Sequence, residues 1–408
     1  MKKNKLAGSG VNFFALGRVL LVLIILEVSL GGGGRLFDTG SVSPRMMLFG
    51  LGLAYTAAAL LYREKIPREF VFLTVMFVAL SSVSAHISAL ENQPVPAALS
   101  DFKPLAYFLL LPFFAITVRS VNDVLLVGRL LKFSALTLAV SYLIVLAIWQ
   151  SGGVTTVQMY DWLNPAHSPQ AEFLFRGDAT FFFKAALYVG VGVFFFIVEK
   201  NRYRNGVVLM LLLAIALTMT RGMWLSVFMV LAVWAFFCAA DRLKGAALAA
   251  GLLLVAVLGV VLINETLPSA VQSNAIRMND LSALQGITWR WWEVLLGRGL
   301  GADVLGRPAI EITYVNVFFK QGMVGILFWF LPAIYLTWQM RFIRDAELRF
   351  LAIPYFMAAA FVYVVSFTNP FLTNPLGMSV VMIAMVAVRV ISLSESRLPV
   401  ESPPRLLA

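Results

Sequence analysis

The chain has 408 residues, of which 60% are hydrophobic and 13% charged, and its mean hydropathy is +0.86. A soluble fold cannot bury that much apolar surface, so the composition points to an integral membrane protein. The single cysteine, Cys238, excludes an intrachain disulfide, and the net charge of +11 follows loop position rather than a nucleic-acid footprint.

Apolar blocks long enough to cross about 30 Å of hydrocarbon recur from end to end. In chain order they predict helices over residues 11–30, 45–62, 70–90, 104–119, 132–150, 177–198, 206–220, 222–240, 245–264, 312–338, 349–367 and 375–393. The expectation is an all-α, polytopic bundle of about 12 transmembrane helices, one membrane domain over residues 1–408. Runs such as GLLLVAVLGVVLIN lack the alternation of a membrane barrel. The first block follows MKKNKLAGSG without a small-residue cleavage site, so it reads as a retained helix.

With the N-terminus in the cytoplasm, the inner segments hold 20 lysines and arginines and the outer ones 10, although the outer ones are longer. The positive-inside rule then puts both termini in the cytoplasm, with 394–408 as a cytoplasmic tail. Two outer loops, 151–176 and 265–311, are unusually long, and loops of that length are commonly functional. The expected site lies in and under them. No internal repeat or matched pair of broken helices is visible, which argues against a transporter.

Charges at the edge of apolar spans are expensive. On the outer side these are Arg176, read as opening the sixth span, and Lys184, about 12 Å deeper on the same helix. Arg221 follows in a tight turn, then Arg290 and Arg298 in TWRWWEVLLGRGLG. Each has a plainer role as a snorkelling interfacial cation. Together they suit a polyanion, because the planar guanidinium donates two parallel hydrogen bonds and keeps its charge. Arg277, Arg307 and Lys320 read as ordinary loop charges. Trp289, Trp291 and Trp292 form either an interfacial belt or a stacking surface for sugars. Gly297, Gly299 and Gly301 lack the preceding strand of a dinucleotide fold, and read as bare backbone giving room to phosphate or sugar. His86 and His167 have no partners at metal spacing, so no metal and no cofactor is expected. Glu311 heads the tenth span as either a helix-start carboxylate or a general base, with Glu293 and Asp303 as substitutes.

These residues resemble the O-antigen polymerase and ligase superfamily of bacterial inner-membrane enzymes. TRGMWLSVFMVLAVW is similar to that family's Arg-Gly helix pair, WRWWEVLLGRGLGADV to its outer-loop signature, and EITYVNVFFKQGMVGILFWF to a segment in which Tyr314, Gly322 and Gly325 match. FRGDATFFFKAALYVGVGVFFF and SFTNPFLTNPLGMSVVM extend the likeness over about residues 170–393. Where ligases carry a histidine, this chain has Glu311, which favours a repeat-unit polymerase of O-antigen, capsule or exopolysaccharide. The resemblance implies a fold related to C-type glycosyltransferases and a polyprenyl-diphosphate glycan as both donor and acceptor. Arg176, Arg221 and Arg290 would face the diphosphate, with Arg298 as a further candidate, and transfer would be metal-independent and inverting. A chain-length-regulating membrane protein is a possible partner. The alternatives are an O-antigen ligase, a 12-helix transporter or flippase of a lipid-linked substrate, and a non-enzymatic assembly partner.

Overall fold

The computed structural model describes residues 13–33, 43–164, 172–239, 241–266, 268–304 and 306–395. His167 and the tail beyond residue 395 lie outside the described residues. In chain order the helices are α1 (Phe13–Leu30), α2 (Pro44–Leu61), α3 (Arg68–Leu90), α4 (Val95–Leu105), α5 (Leu111–Thr117), α6 (Val121–Gln150) and α7 (Thr156–Leu163). A hairpin of β1 (Phe173–Arg176) and β2 (Thr180–Phe183) leads into α8 (Ala186–Ile197), α9 (Arg204–Leu217), α10 (Arg221–Cys238) and α11 (Arg242–Thr266). Then come α12 (Pro268–Gln285), α13 (Trp291–Leu296), α14 (Thr313–Met340), α15 (Ala346–Val365) and α16 (Pro375–Glu395).

Among the described residues, 10 helices are long and apolar enough to cross a membrane, with α4 and α5 counted as one bent span, Val95–Thr117. The shorter apolar helices α8 and α9 occupy the remaining two predicted positions. The chain is an all-α, multi-pass membrane protein. Its core is α16, buried on every side from Leu376 to Val388, as expected of a helix that is apolar all round. Tyr188 of α8, also fully buried, donates to the Leu376 carbonyl at 3.0 Å and ties these two central helices together.

The structure departs from the sequence reading in three places. Residues 177–198 are not one helix: Phe173–Arg176 and Thr180–Phe183 pair antiparallel, with Arg176 opposite Thr180, before α8 starts. Arg176 therefore ends a strand rather than opening a span, and Lys184 stands beyond the other end of the hairpin rather than deeper on the same helix. Aromatic residues favour a strand as readily as a buried helix, and Gly177 supplies the positive φ the turn needs. The loops 151–176 and 265–311 carry structure of their own: α7 and β1 in the first, α12 and α13 in the second. Finally, α6 begins at Val121, capped by Ser120 and Asp123, so Arg129 and Lys132 lie on a helix rather than in a loop.

The break in α14 organises the loop-rich face. Gly322 has φ 65 inside the helix, so the turn around it is lost and the carbonyls of Phe319 and Lys320 are left without helical donors. The loop after α13 supplies them: Arg298 N–H donates to Phe319 O at 2.9 Å and Gly299 N–H to Lys320 O at 3.1 Å. Further along, Ser88 Oγ donates to Leu300 O at 2.6 Å and Gly301 N–H to Asp101 at 2.7 Å. Asp101 is also ion-paired with the buried Lys320 at 2.5 Å. Lys320 is thus an internal clamp between α4, α14 and this loop, not a loop charge.

The three loop glycines all have positive φ, and a Cβ on each would collide with protein backbone: residues 320–321 for Gly297, Ser88 for Gly299 and Ala98 for Gly301. They make room for the protein rather than for a ligand. Gly299→Ala should therefore cost about 2–5 kcal/mol, combining left-handed strain with overpacking. Gly306→Ala, with φ 74 but nothing within 4 Å, should cost only the strain, about 1–2 kcal/mol. Thermal unfolding of the two purified variants checks this; equal losses would contradict the packing account.

Candidate functional site

Four elements converge near the start of α14. The sharp turn between α9 and α10 puts Arg221 at the first residue of α10, where its Nη1 donates to Asn264 of α11 at 2.5 Å. The β-hairpin reaches the same turn: Thr180 donates to the Leu217 carbonyl and shares a 2.7 Å hydrogen bond with Tyr142. That contact brings in Arg176, directly opposite Thr180. From α12, Arg277 Nε meets Glu311 Oε2 at 2.9 Å while its Nη2 donates to Thr368 O at 3.2 Å.

The connection between α15 and α16, SFTNP, is the hub beneath them. Its Ser366 and Asn369 carbonyls accept from the backbone and side chain of Thr313, fixing the start of α14. Gly222 packs so closely on Thr368 that a Cβ there would lie 1.9 Å from its hydroxyl oxygen. Arg221 and Arg277 are therefore held against one short segment.

The electrostatics agree with this geometry. Burial pushes the Arg176 guanidinium below its ordinary pKa; Glu311 opposes that shift and Arg277 adds to it. Arg221 in turn lies within Coulombic reach of Arg277, Arg176 and Glu311. An arginine so far above neutrality stays charged, so the site gathers three guanidiniums around one carboxylate. The Nε of Arg176 is buried with no hydrogen-bond partner among the described residues. A half-buried concentration of fixed donors with excess positive charge is chemically suited to an anion with several oxygens.

Glu311 does not cap α14. Ile312 is the N-cap residue, with no side-chain cap hydrogen bond, and the Glu311 carboxylate turns to Arg277. Arg277, read from sequence as a loop charge, is the residue that sequence reasoning missed. Its signal was spacing: Arg277 and Asp280 lie three apart on α12 and so share a face. Asp280, only 2% exposed, accepts two hydrogen bonds from Arg307 at 2.7 and 2.8 Å. Two ion pairs thus fasten α12 across the segment 307–311.

The other sequence candidates stand apart from this cluster. Arg290 pairs with Glu91 at the end of α3 at 3.2 Å, lies over the Trp292 ring and is 62% exposed. Arg290 sits immediately before α13, whose first turn is closed by Glu293 accepting from the Arg290 N–H. Arg298 makes an ion pair with the buried Glu293 at 3.3 Å and lies over Trp289, so both charges serve the fold of this loop. Trp289 packs against Phe318 and Phe319, whereas Trp291 is 77% exposed. The Tyr314 hydroxyl donates to Tyr363 O at 2.7 Å and its ring packs on Phe330 and Phe367. Lys184 faces Glu172 at 3.8 Å, beside a separate cavity of about 280 Å³ between α6 and the hairpin. Among the described residues no group of three or more His, Cys, Asp or Glu side chains is placed to hold a metal ion.

No protein-family model matches the chain. It is 25% identical over 381 residues to an O-antigen polymerase of Shigella flexneri, a match covering 90% of this chain and 93% of that one. This likeness runs along most of the chain and supports the O-antigen polymerase/ligase-like superfamily.

The α12 fastening predicts a local effect. Asp280→Ala removes a buried acceptor from a partner that is partly exposed, so the loss should be about 1–3 kcal/mol, confined to this region. Amide hydrogen exchange over 268–285 should quicken about tenfold or more, the equivalent of about 1.4 kcal/mol, while α16 is unchanged. Unaltered exchange in α12 would show that the ion pairs do not hold it.

Proposed function

We propose that the protein polymerises polyprenyl-diphosphate-linked oligosaccharide repeat units at the extracytoplasmic face of a bacterial inner membrane, as a glycosyltransferase-type enzyme. The observation that carries this is the gathering of Arg176, Arg221 and Arg277 around Glu311, in a chain similar along its length to an O-antigen polymerase. The positive-inside count, with both termini cytoplasmic, supports the placing of this face outside.

The chemistry follows from the charges. A hydroxyl oxygen of the acceptor sugar attacks C1 of the donor sugar, the C1–O bond to the diphosphate breaks, and the leaving diphosphate takes the electron pair. Negative charge grows on its oxygens in the transition state, where prearranged guanidiniums stabilise it. Attack opposite the leaving group inverts the anomeric centre. Glu311 accepts the hydroxyl proton. Its carboxylate is bound to Arg277 in the resting protein. A diphosphate drawing Arg277 to itself frees the Glu311 carboxylate for the acceptor hydroxyl and so couples donor binding to the attack. Arg277 then has two roles, as phosphate ligand and as the resting partner of Glu311.

The same cluster suits a ligase, which uses the same donor. Polymerisation is favoured because the similar protein is a polymerase and because Glu311 stands where ligases carry histidine. The transporter reading finds less support, because the similar protein is a polymerase.

In a deletion strain carrying variants, Arg176→Ala, Arg221→Ala and Arg277→Ala should each lower polymer formation about 10²–10³-fold, with protein still in the membrane. Arg277→Lys should restore only part of this, because a point charge cannot bridge carboxylate and phosphate as a guanidinium does. Glu311→Gln should lose about 10²–10⁴-fold. Gel analysis of the lipid-linked glycans reads these outcomes: single repeat units accumulating on the carrier support the polymerase. Polymer retained on the carrier would make it a ligase, and normal chain lengths in the arginine variants would remove the site assignment.

A further inference from the structure

A second place on the loop-rich face combines a hydrocarbon groove with an exposed cation. Between α3 and α4 lies a cavity of about 480 Å³, within the range of ligand pockets. Its walls are almost wholly apolar, from Phe77 and Val78 on α3 to Leu99 and Phe102 on α4, and Leu300 of the glycine loop lines it beside Ser88. Local sequence explains the opening. Ser82, Ala85 and Ala89 are too small to fill the space, and Pro104 with the 3-10 turn Ala106–Leu110 bends α4 away from the line of α5.

Ala89 and Gln93 line the cavity, and Glu91, between them in sequence, holds Arg290 at 3.2 Å. The guanidinium also rests over Trp292, yet stays 62% exposed. Glu91 takes one of its five N–H donors, so the others remain available to an anion at the membrane surface.

The geometry points to this groove as the site of a second polyprenyl-phosphate lipid, its hydrocarbon chain between α3 and α4 and its phosphate on Arg290. The assignment rests on the polymerase reading, which requires two lipid carriers for each bond made. The two diphosphates have unequal needs. The donor's becomes a leaving group and gains charge, which suits the three-arginine cluster. The acceptor's stays esterified and gains none, so one exposed arginine is enough to hold it. Leu300 belongs to the loop bonded into the break of α14, so the groove is joined mechanically to the half-helix that Glu311 precedes.

Photo-cross-linking tests this. The full chain, with Leu99→p-benzoylphenylalanine, is placed in phosphatidylethanolamine and phosphatidylglycerol vesicles containing a minor fraction of undecaprenyl monophosphate. Captured lipid is identified by mass spectrometry. The polyprenyl phosphate should be captured well beyond its share of the bilayer, and about tenfold less after Arg290→Gln. Ala85→Trp, which fills the groove and leaves Arg290 in place, should also abolish capture. Capture in proportion to bilayer composition, or of phosphatidylglycerol in preference, overturns the proposal, as does capture unaffected by both variants. Polymer made without capture at Leu99 would refute the groove and leave the polymerase reading standing. Capture as expected by a protein that makes no polymer would do the reverse.

Discussion

Three guanidiniums half-buried around one carboxylate are an unfavourable arrangement for a resting protein. Like charges repel, burial disfavours the charge on Arg176, and a single Glu311 cannot compensate all three. Such a cluster persists because the surrounding structure forces it. Arg221 is fixed by the turn before α10, Arg176 by the hairpin docked on Leu217, and Arg277 by an α12 tied down through Asp280 and Arg307. Strain of this kind is stored where an incoming ligand relieves it, and an anion with several oxygens relieves it most directly.

The rest of the loop-rich face serves that constraint. The break at Gly322 leaves two carbonyls that the glycine loop satisfies, and the Lys320–Asp101 pair locks the loop to α4. In consequence α14 presents a short rigid half-helix, Thr313–Gln321, whose start is pinned to the α15–α16 connection. Glycines that looked like space for a substrate are the means by which backbone segments interlock. Arg298 and Glu293 likewise neutralise each other within the loop. Precision at the cluster comes from these supports, of which the α15–α16 connection touches it directly through the Thr368 carbonyl.

Much of the fold was legible in the sequence because membrane helices announce themselves by length and hydropathy. The exception was 173–183, where FLFR and TFFF are apolar enough to pass for a helix although Gly177–Asp178 marks a turn. Arg176, Arg221 and Glu311 stood out as charges beside apolar spans, and the structure brings those three together. Arg277 did not stand out, because a charge in a polar loop looks ordinary until tertiary contacts bury it. Arg290 stood out for the opposite reason: its aromatic neighbours made it conspicuous, but Glu91, over 190 residues away in sequence, decides where it goes. Long-range partners of this kind leave no local trace.

Purified protein in vesicles, supplied with a single lipid-linked repeat unit, tests the central claim most directly. Glycan length and released polyprenyl diphosphate are followed together. The account predicts lengthening chains with one diphosphate carrier freed for each new glycosidic bond, and neither in a protein lacking the Arg277 guanidinium. Repeat units that stay unjoined while the protein moves them across the bilayer would contradict it.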